Sequence, residues 1–149
     1  MAGTSVSVKA EGFSRLDLLI GRLANPDFTE LMESIGAMVE TQTDVRLKST
    51  KTAPDGTAWP ALNPAYKKRK KTDGGILQLE GDLRKSIVSL VTGGLSVEIG
   101  TNLVYAATHQ FGDPRRNIPQ REFLGLSPEN EEAISGLIEA WIEQQTAAA

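Results

Sequence analysis

The chain has 149 residues, 40% hydrophobic and 23% charged, a balance that suits one globular domain with a modest core. It contains no cysteine, which excludes a disulfide framework, a thiolate metal site and a cysteine nucleophile. A formal net charge of -3 lacks the basic excess of a dedicated nucleic-acid binder.

The N-terminus shows no basic region followed by an apolar run, and no window approaches the roughly 20 apolar residues of a membrane span, so neither export signal nor membrane contact is expected. Ser5 to Lys9 alternates in the period of a half-buried strand, and Glu11-Gly12 ends it, giving a short edge strand. Ser14 caps a predicted helix with an apolar stripe of Leu16, Leu19, Ile20 and Leu23, stopped at Asn25-Pro26. A longer helix is expected from Asp27 or Phe28 to about Lys48, with Leu31, Ile35, Met38, Gln42 and Val45 as its recurring face. Asp27, Glu30 and Glu33 complement its dipole. The two helices read as a hairpin.

Residues 50–75 hold three prolines, three glycines and few periodic apolar residues, which predicts a long loop. Unstructured loops of this length are uncommon inside compact domains and often functional. Its aromatics, Trp59 and Tyr66, either serve that function or, in the case of Trp59 with Leu62, plug one end of the core. The run Lys67, Lys68, Arg69, Lys70 and Lys71 is five consecutive cations, whereas 127–149 carries Glu129, Glu131, Glu132, Glu139 and Glu143 and no Lys or Arg. One molecule therefore has opposite poles.

Two β-rich runs, 87–92 and 95–100, flank Gly93-Gly94 as a predicted hairpin with Val97 and Ile99 facing the core. Val104, Ala107 and Phe111 recur at helical spacing in a short helix from about Leu103, with Gly112 as its stop and Asp113-Pro114 just beyond. A basic loop with Arg115 and Arg116 follows, and Pro119 fixes an extended approach to Phe123-Leu124, which should anchor in a core shared with Val104 and Phe111. Arg121 offers a donor fork suited to a carboxylate or a row of carbonyls. Ser127-Pro128-Glu129 opens a C-terminal helix over about 128–146, with Ile134, Leu137, Ile138, Trp141 and Ile142 on one face. Thr146 onward is expected to fray. The expected fold class is α+β, an antiparallel sheet with helices packed on one face.

Catalytic signals are thin. His109 is the only histidine, four residues after Tyr105 and able to stack on it. A metal would need more ligands of the right type. A serine hydrolase would need a strained nucleophile turn such as G-x-S-x-G, and the chain has none. Gly93-Gly94 lacks the pattern of a phosphate loop. No enzyme, metal or cofactor is expected.

The ordered motifs PDGTAWPALNPAYKKRKK, ILQLEGDLRKSI, VEIGTNLVYAATHQFG and IPQREFLGLSPENEEAI together resemble the phage virion morphogenesis family, which includes tail-completion proteins of Mu-like and P2-like phages. The matching positions are Asp55-Gly56 with Trp59, Leu77 with Gly81 and Leu83, Gly100-Thr101, Tyr105-Ala106, His109 with Gly112, and Arg121 with Phe123-Leu124-Gly125. Gln120 and Glu122 depart from the small residue and proline more usual beside that arginine. The resemblance implies a non-catalytic structural protein of the virion, assembled in the host cytoplasm and acting at the head-proximal end of the tail. Its implied partners are further copies of itself in a ring, sixfold at family level, with tail tube and neck or connector proteins. DNA passing through the channel is a further candidate partner, gripped in the alternative reading by the cation run of a head-completion or packaging accessory. The residues assigned to subunit or partner contact are Trp59, Tyr66, Lys67 to Lys71, Arg115, Arg116, Arg121, Glu129, Glu131 and Glu132.

Overall fold

Alternation in the predicted hairpin places Val97 and Ile99 on one side of their strand, and in the computed structural model both are fully buried. The structure describes residues 3–9, 26–70, 75–78 and 80–148. The expected helix over 14–25, its hairpin with the next helix, and Lys71 lie outside these. Strands β1 (Thr4–Lys9), β2 (Val88–Gly93) and β3 (Ser96–Thr101) form an antiparallel sheet in the order β1-β3-β2, so β1 is an edge strand as its pattern predicts. Val6 pairs with Ile99, which faces Ser89, and Val8 pairs with Val97, which faces Val91. This row makes the inner face.

Helix α1 (Thr29–Val45) lies against β2 and β3. Its buried face is Leu31, Met32, Ile35, Gly36, Val39 and Thr43, while Val45 is exposed. The expected stripe through Met38, Gln42 and Val45 is thus rotated by one residue after Ile35. The cause is close approach. A Cβ on Gly36 would stand 2.7 Å from Ser89 Oγ and 3.0 Å from Val97 Cγ2, and the Thr43 hydroxyl is satisfied by donating to Val39 O at 2.8 Å. A small residue and a self-satisfied polar one can therefore face the sheet, which a count of large apolar residues does not register. The last turn widens into a π-helical turn over Arg46–Thr50, ended by Lys51 in the left-handed region at φ 55°.

The long stretch after it is more ordered than its composition suggests. Asp55-Gly56 makes a tight turn, with Asp55 Oδ1 accepting from Thr57 N–H at 2.9 Å, closed by a bridge between Thr52 and Ala58. Trp59 is buried, which realises the core-plug alternative. Asn63 then caps a six-residue helix α2 (Pro64–Arg69) with no buried residues. A four-residue helix α3 (Asp82–Lys85) precedes the hairpin.

Helix α4 runs over Ala106–Phe111 and α5 over Pro128–Ala148, so α5 extends past the expected fraying point at Thr146. Ser127 and Asn130 cap α5 reciprocally, each side-chain oxygen accepting the other's backbone N–H at 3.1 Å. Ile134, Ile138 and Trp141 are buried; α5 packs on α1, and Trp141 meets Phe28 with ring centroids 5.1 Å apart. The described elements thus make an α+β domain.

Phe123 and Leu124 are buried, at 0% and 2% exposure, but Val104 and Phe111 stand 74% and 66% exposed. The expectation of a shared core is corrected: α4 begins at Ala106 rather than Leu103, buries Ala106 and Gln110 and turns Phe111 to solvent, and Val104 in the turn before it is open too. Phe123→Ala should therefore cost about 3 to 5 kcal/mol in denaturant unfolding, and Phe111→Ala no more than about 0.5 kcal/mol.

Candidate functional site

Residues 120–125 run extended through the interior without joining the sheet, so their backbone groups need partners from elsewhere. Side chains supply them. Gln110 Oε1 accepts from Phe123 N–H at 3.1 Å and Leu124 N–H at 3.0 Å, and its Nε2 donates to Leu124 O at 2.9 Å. Arg46 Nη1 donates to Phe123 O at 2.7 Å and to Gly125 O at 3.3 Å, while Nη2 reaches Asn130 Oδ1 at 2.9 Å. Trp59 Nε1 donates to Glu122 O at 2.9 Å. The strap therefore joins the ends of α1, α4 and α5 to the loop after the Asp55-Gly56 turn.

The strap's own side chain completes the lock. Arg121 points into that loop, donating from Nε to Pro60 O at 2.9 Å and from Nη2 to Ala61 O at 3.0 Å. This is the row of carbonyls its fork suits. At the other side, Arg121 N–H donates to His109 O at 2.8 Å. Gly112 lets the chain double back: its φ is 77°, and a Cβ there would lie 2.9 Å from Gln120 N. Asp113 pairs with Ile118 across the intervening basic turn, Pro114–Arg116.

Outside this lock lies a cleft of about 820 Å³ between α2, the turn before α3, and α4 with its basic loop. Leu77, Gly81, Leu83, Tyr105, His109 and Arg121, all motif positions, line it. So do Tyr66, Arg69, Lys70 and Arg116. Tyr105 meets His109 edge-on, centroids 6.1 Å apart, as their spacing predicts. Burial lowers the His109 pKa, and the nearby Arg121 and Arg116 lower it further. The imidazole is neutral at physiological pH. Among the described residues its Nδ1 is buried without a hydrogen-bond partner. Burial, with Asp82 nearby, raises the Tyr105 phenol. Arg116 donates to Asp113 Oδ2 at 2.7 Å, and that bond is the main reason the Asp113 carboxyl is held below its ordinary pKa. Lys51, donating to Ile76 O at 2.8 Å, is pushed down to about 8 by burial and then by Lys70 and Arg84.

The residues assigned to contact with partners thus separate into groups. Trp59 and Arg121 are buried, and their donors are taken by backbone carbonyls within the subunit. Tyr66, Lys67, Lys68 and Arg69 are exposed on α2, Arg115 and Arg116 on the basic turn, and Glu129, Glu131 and Glu132 on the first turn of α5. The glutamates do not line the cleft. Arg46 and Gln110 were not found from sequence, because a lone Arg or Gln in a helix pattern reads as a solvated residue.

The chain matches the phage virion morphogenesis family over residues 13–143, and it belongs to that family. An uncharacterised protein of Methanocaldococcus jannaschii is 38% identical over 73 residues, covering 44% of this chain and 53% of that relative. The chain thus spans about half the length of the curated relative it matches. No solved structure matches it. Membership points to a structural or assembly role in the phage virion. Among the described residues no helix is long and apolar enough to cross a membrane.

Replacing Gln110 by methionine keeps its bulk and removes three bonds to the strap. Each backbone group left unsatisfied should cost about 1 to 3 kcal/mol, so Gln110→Met should lower the midpoint of thermal unfolding clearly. Gln144→Met, at an exposed position of α5, should change stability by no more than about 0.5 kcal/mol.

Proposed function

We propose that the chain is a tail-completion subunit, terminator-like, that forms a ring at the head-proximal end of a phage tail and helps join tail to head. The observation that carries this reading is a set of opposite charges left unpaired inside the subunit. Among the described residues ion pairs join Arg84 to Asp44 at 3.4 Å and Arg116 to Asp113 at 2.7 Å. Neither uses Lys67, Lys68, Arg69, Arg115 or the glutamates of α5. A cationic pole on short, exposed elements and an anionic pole on a helix terminus are complementary between neighbours. Contact between two different surfaces of identical chains is head-to-tail, and it closes into a ring when the rotation between neighbours closes. Exposed ion pairs contribute about 0 to 1 kcal/mol each, so in this reading they set register and encounter rate while apolar contact holds the ring.

A second reading has one observation in its favour. Helix α2 buries no residue and presents Lys67, Lys68 and Arg69 beside Tyr66, which is 42% exposed. Such a projection suits phosphate contact by a head-completion or packaging accessory near the portal. Duplex binding that falls steeply with salt supports this reading.

Changing Lys67, Lys68 and Arg69 to glutamate should impair ring formation or tail completion and leave the melting temperature of the subunit nearly unchanged. Changing Glu129, Glu131 and Glu132 to lysine in the same chain should restore part of the loss. Assembly that survives the first change, or a double change that rescues nothing, would show that these poles do not meet.

A further inference from the structure

Two exposed surfaces are not used by the charge pairing above, and each combines apolar side chains with one charge. The first is at α4. Phe111 ends the helix and Val104 lies in the turn just before it, at 66% and 74% exposure, with Thr108 between them in sequence. Arg116 reaches back to this helix, its Nη2 donating to Thr108 Oγ1 at 3.0 Å and its Nε to Asp113 at 2.7 Å. The guanidinium is thereby held at two points with its side chain still 61% exposed, and its remaining N–H groups are available to an acceptor.

The second is the outer face of the hairpin. Val88 and Leu90 point away from α1 and stand 60% and 64% exposed. Leu90 is directly opposite Glu98 on β3, so a carboxylate stands beside the aliphatic pair. The free edge of β2 is less available than this face. Ser89 N–H donates to Glu40 at 2.5 Å, and that carboxylate would have to leave before another strand could add there.

We infer that the exposed Val104 and Phe111, before and at the end of α4, on one copy seat on the Val88–Leu90 face of a second copy, with Arg116 of the first meeting Glu98 of the second. This rests on the assembly reading proposed above and adds the apolar contact that it requires. The match is in sign as well as in kind: exposed apolar groups with a cation tethered to the same helix meet an aliphatic pair beside an anion. The surfaces are different parts of one chain, so the contact is head-to-tail. A reciprocal two-fold dimer would fill both surfaces as a closed ring does, and covalent products larger than a dimer distinguish the ring.

The absence of cysteine from the chain gives a background-free test. Leu90→Cys and Phe111→Cys are prepared singly and together in the full-length protein and treated with a short flexible bis-maleimide, while the untreated parent is followed by sedimentation. The double variant should give a ladder of covalently joined copies, and the two single variants should join only when mixed. Glu98→Arg in the double variant should reduce the yield several-fold. Efficient joining of Leu90→Cys to itself would show a symmetric contact and overturn the proposal. No joining in a protein whose parent sediments as an oligomer would overturn it while leaving the ring intact. No joining with a monomeric parent would remove both the contact and the self-assembling ring.

Discussion

The strap over residues 120–125 depends on hydrogen bonds from buried side chains to its backbone, and the rest of the molecule is arranged around that dependence. An extended segment outside a sheet has no ladder to satisfy it, and an unpaired buried N–H or C=O costs about 1 to 3 kcal/mol. Gln110 and Arg46 meet that demand from α4 and the end of α1. Arg46 does so at a cost of its own, since burial lowers its pKa; with three acceptors in reach the guanidinium remains charged. Because each donor serves an acceptor far off in sequence, the core and the loops are fixed by one set of bonds. This explains why a stretch with the composition of a loop, 50–63, is held in place: Trp59 and Arg121 bind it to the strap from opposite sides.

Much of this was legible in the residues, and the limits have physical causes. Period-two alternation identified the edge strand and the buried Val97 and Ile99, and the Ser127-Pro128 start of α5 followed from its cap. Phe123 and Leu124 announced their burial by size. The stripe Val104, Ala107 and Phe111 has helical spacing, but Val104 precedes α4, and periodicity reports that residues are apolar, not what covers them: Val104 and Phe111 stand open. On α1 the error was a rotation, since Gly36 and Thr43 serve as sheet-facing residues without looking apolar. Arg46 and Gln110 were out of reach for another reason: their partners lie 77 and 14 residues away, and no local spacing encodes such a bond.

The division between what is locked and what is exposed bears on function. The motif positions Trp59, Arg121, Phe123 and Leu124 lie in the lock, whereas Tyr66, Lys67, Lys68, Arg69 and Arg115 stand on its outside. The exposed charged side chains are thus carried on elements next to the lock without being used inside it, an arrangement compatible with the structural role that the family suggests. His109 fits the same division. It meets Tyr105 edge-on, its carbonyl accepts from Arg121 N–H, and burial with two nearby arginines lowers its pKa, so it ties the cleft lining to the lock.

A density map of the intact virion tests the central claim most directly, because it locates the chain without any assumption about its chemistry. The account predicts a closed ring of this α+β fold where the tail meets the neck, with the strap buried in each subunit and α2 and the first turn of α5 at subunit boundaries. Density for the fold inside the capsid, or as isolated copies touching DNA near the portal, would contradict it.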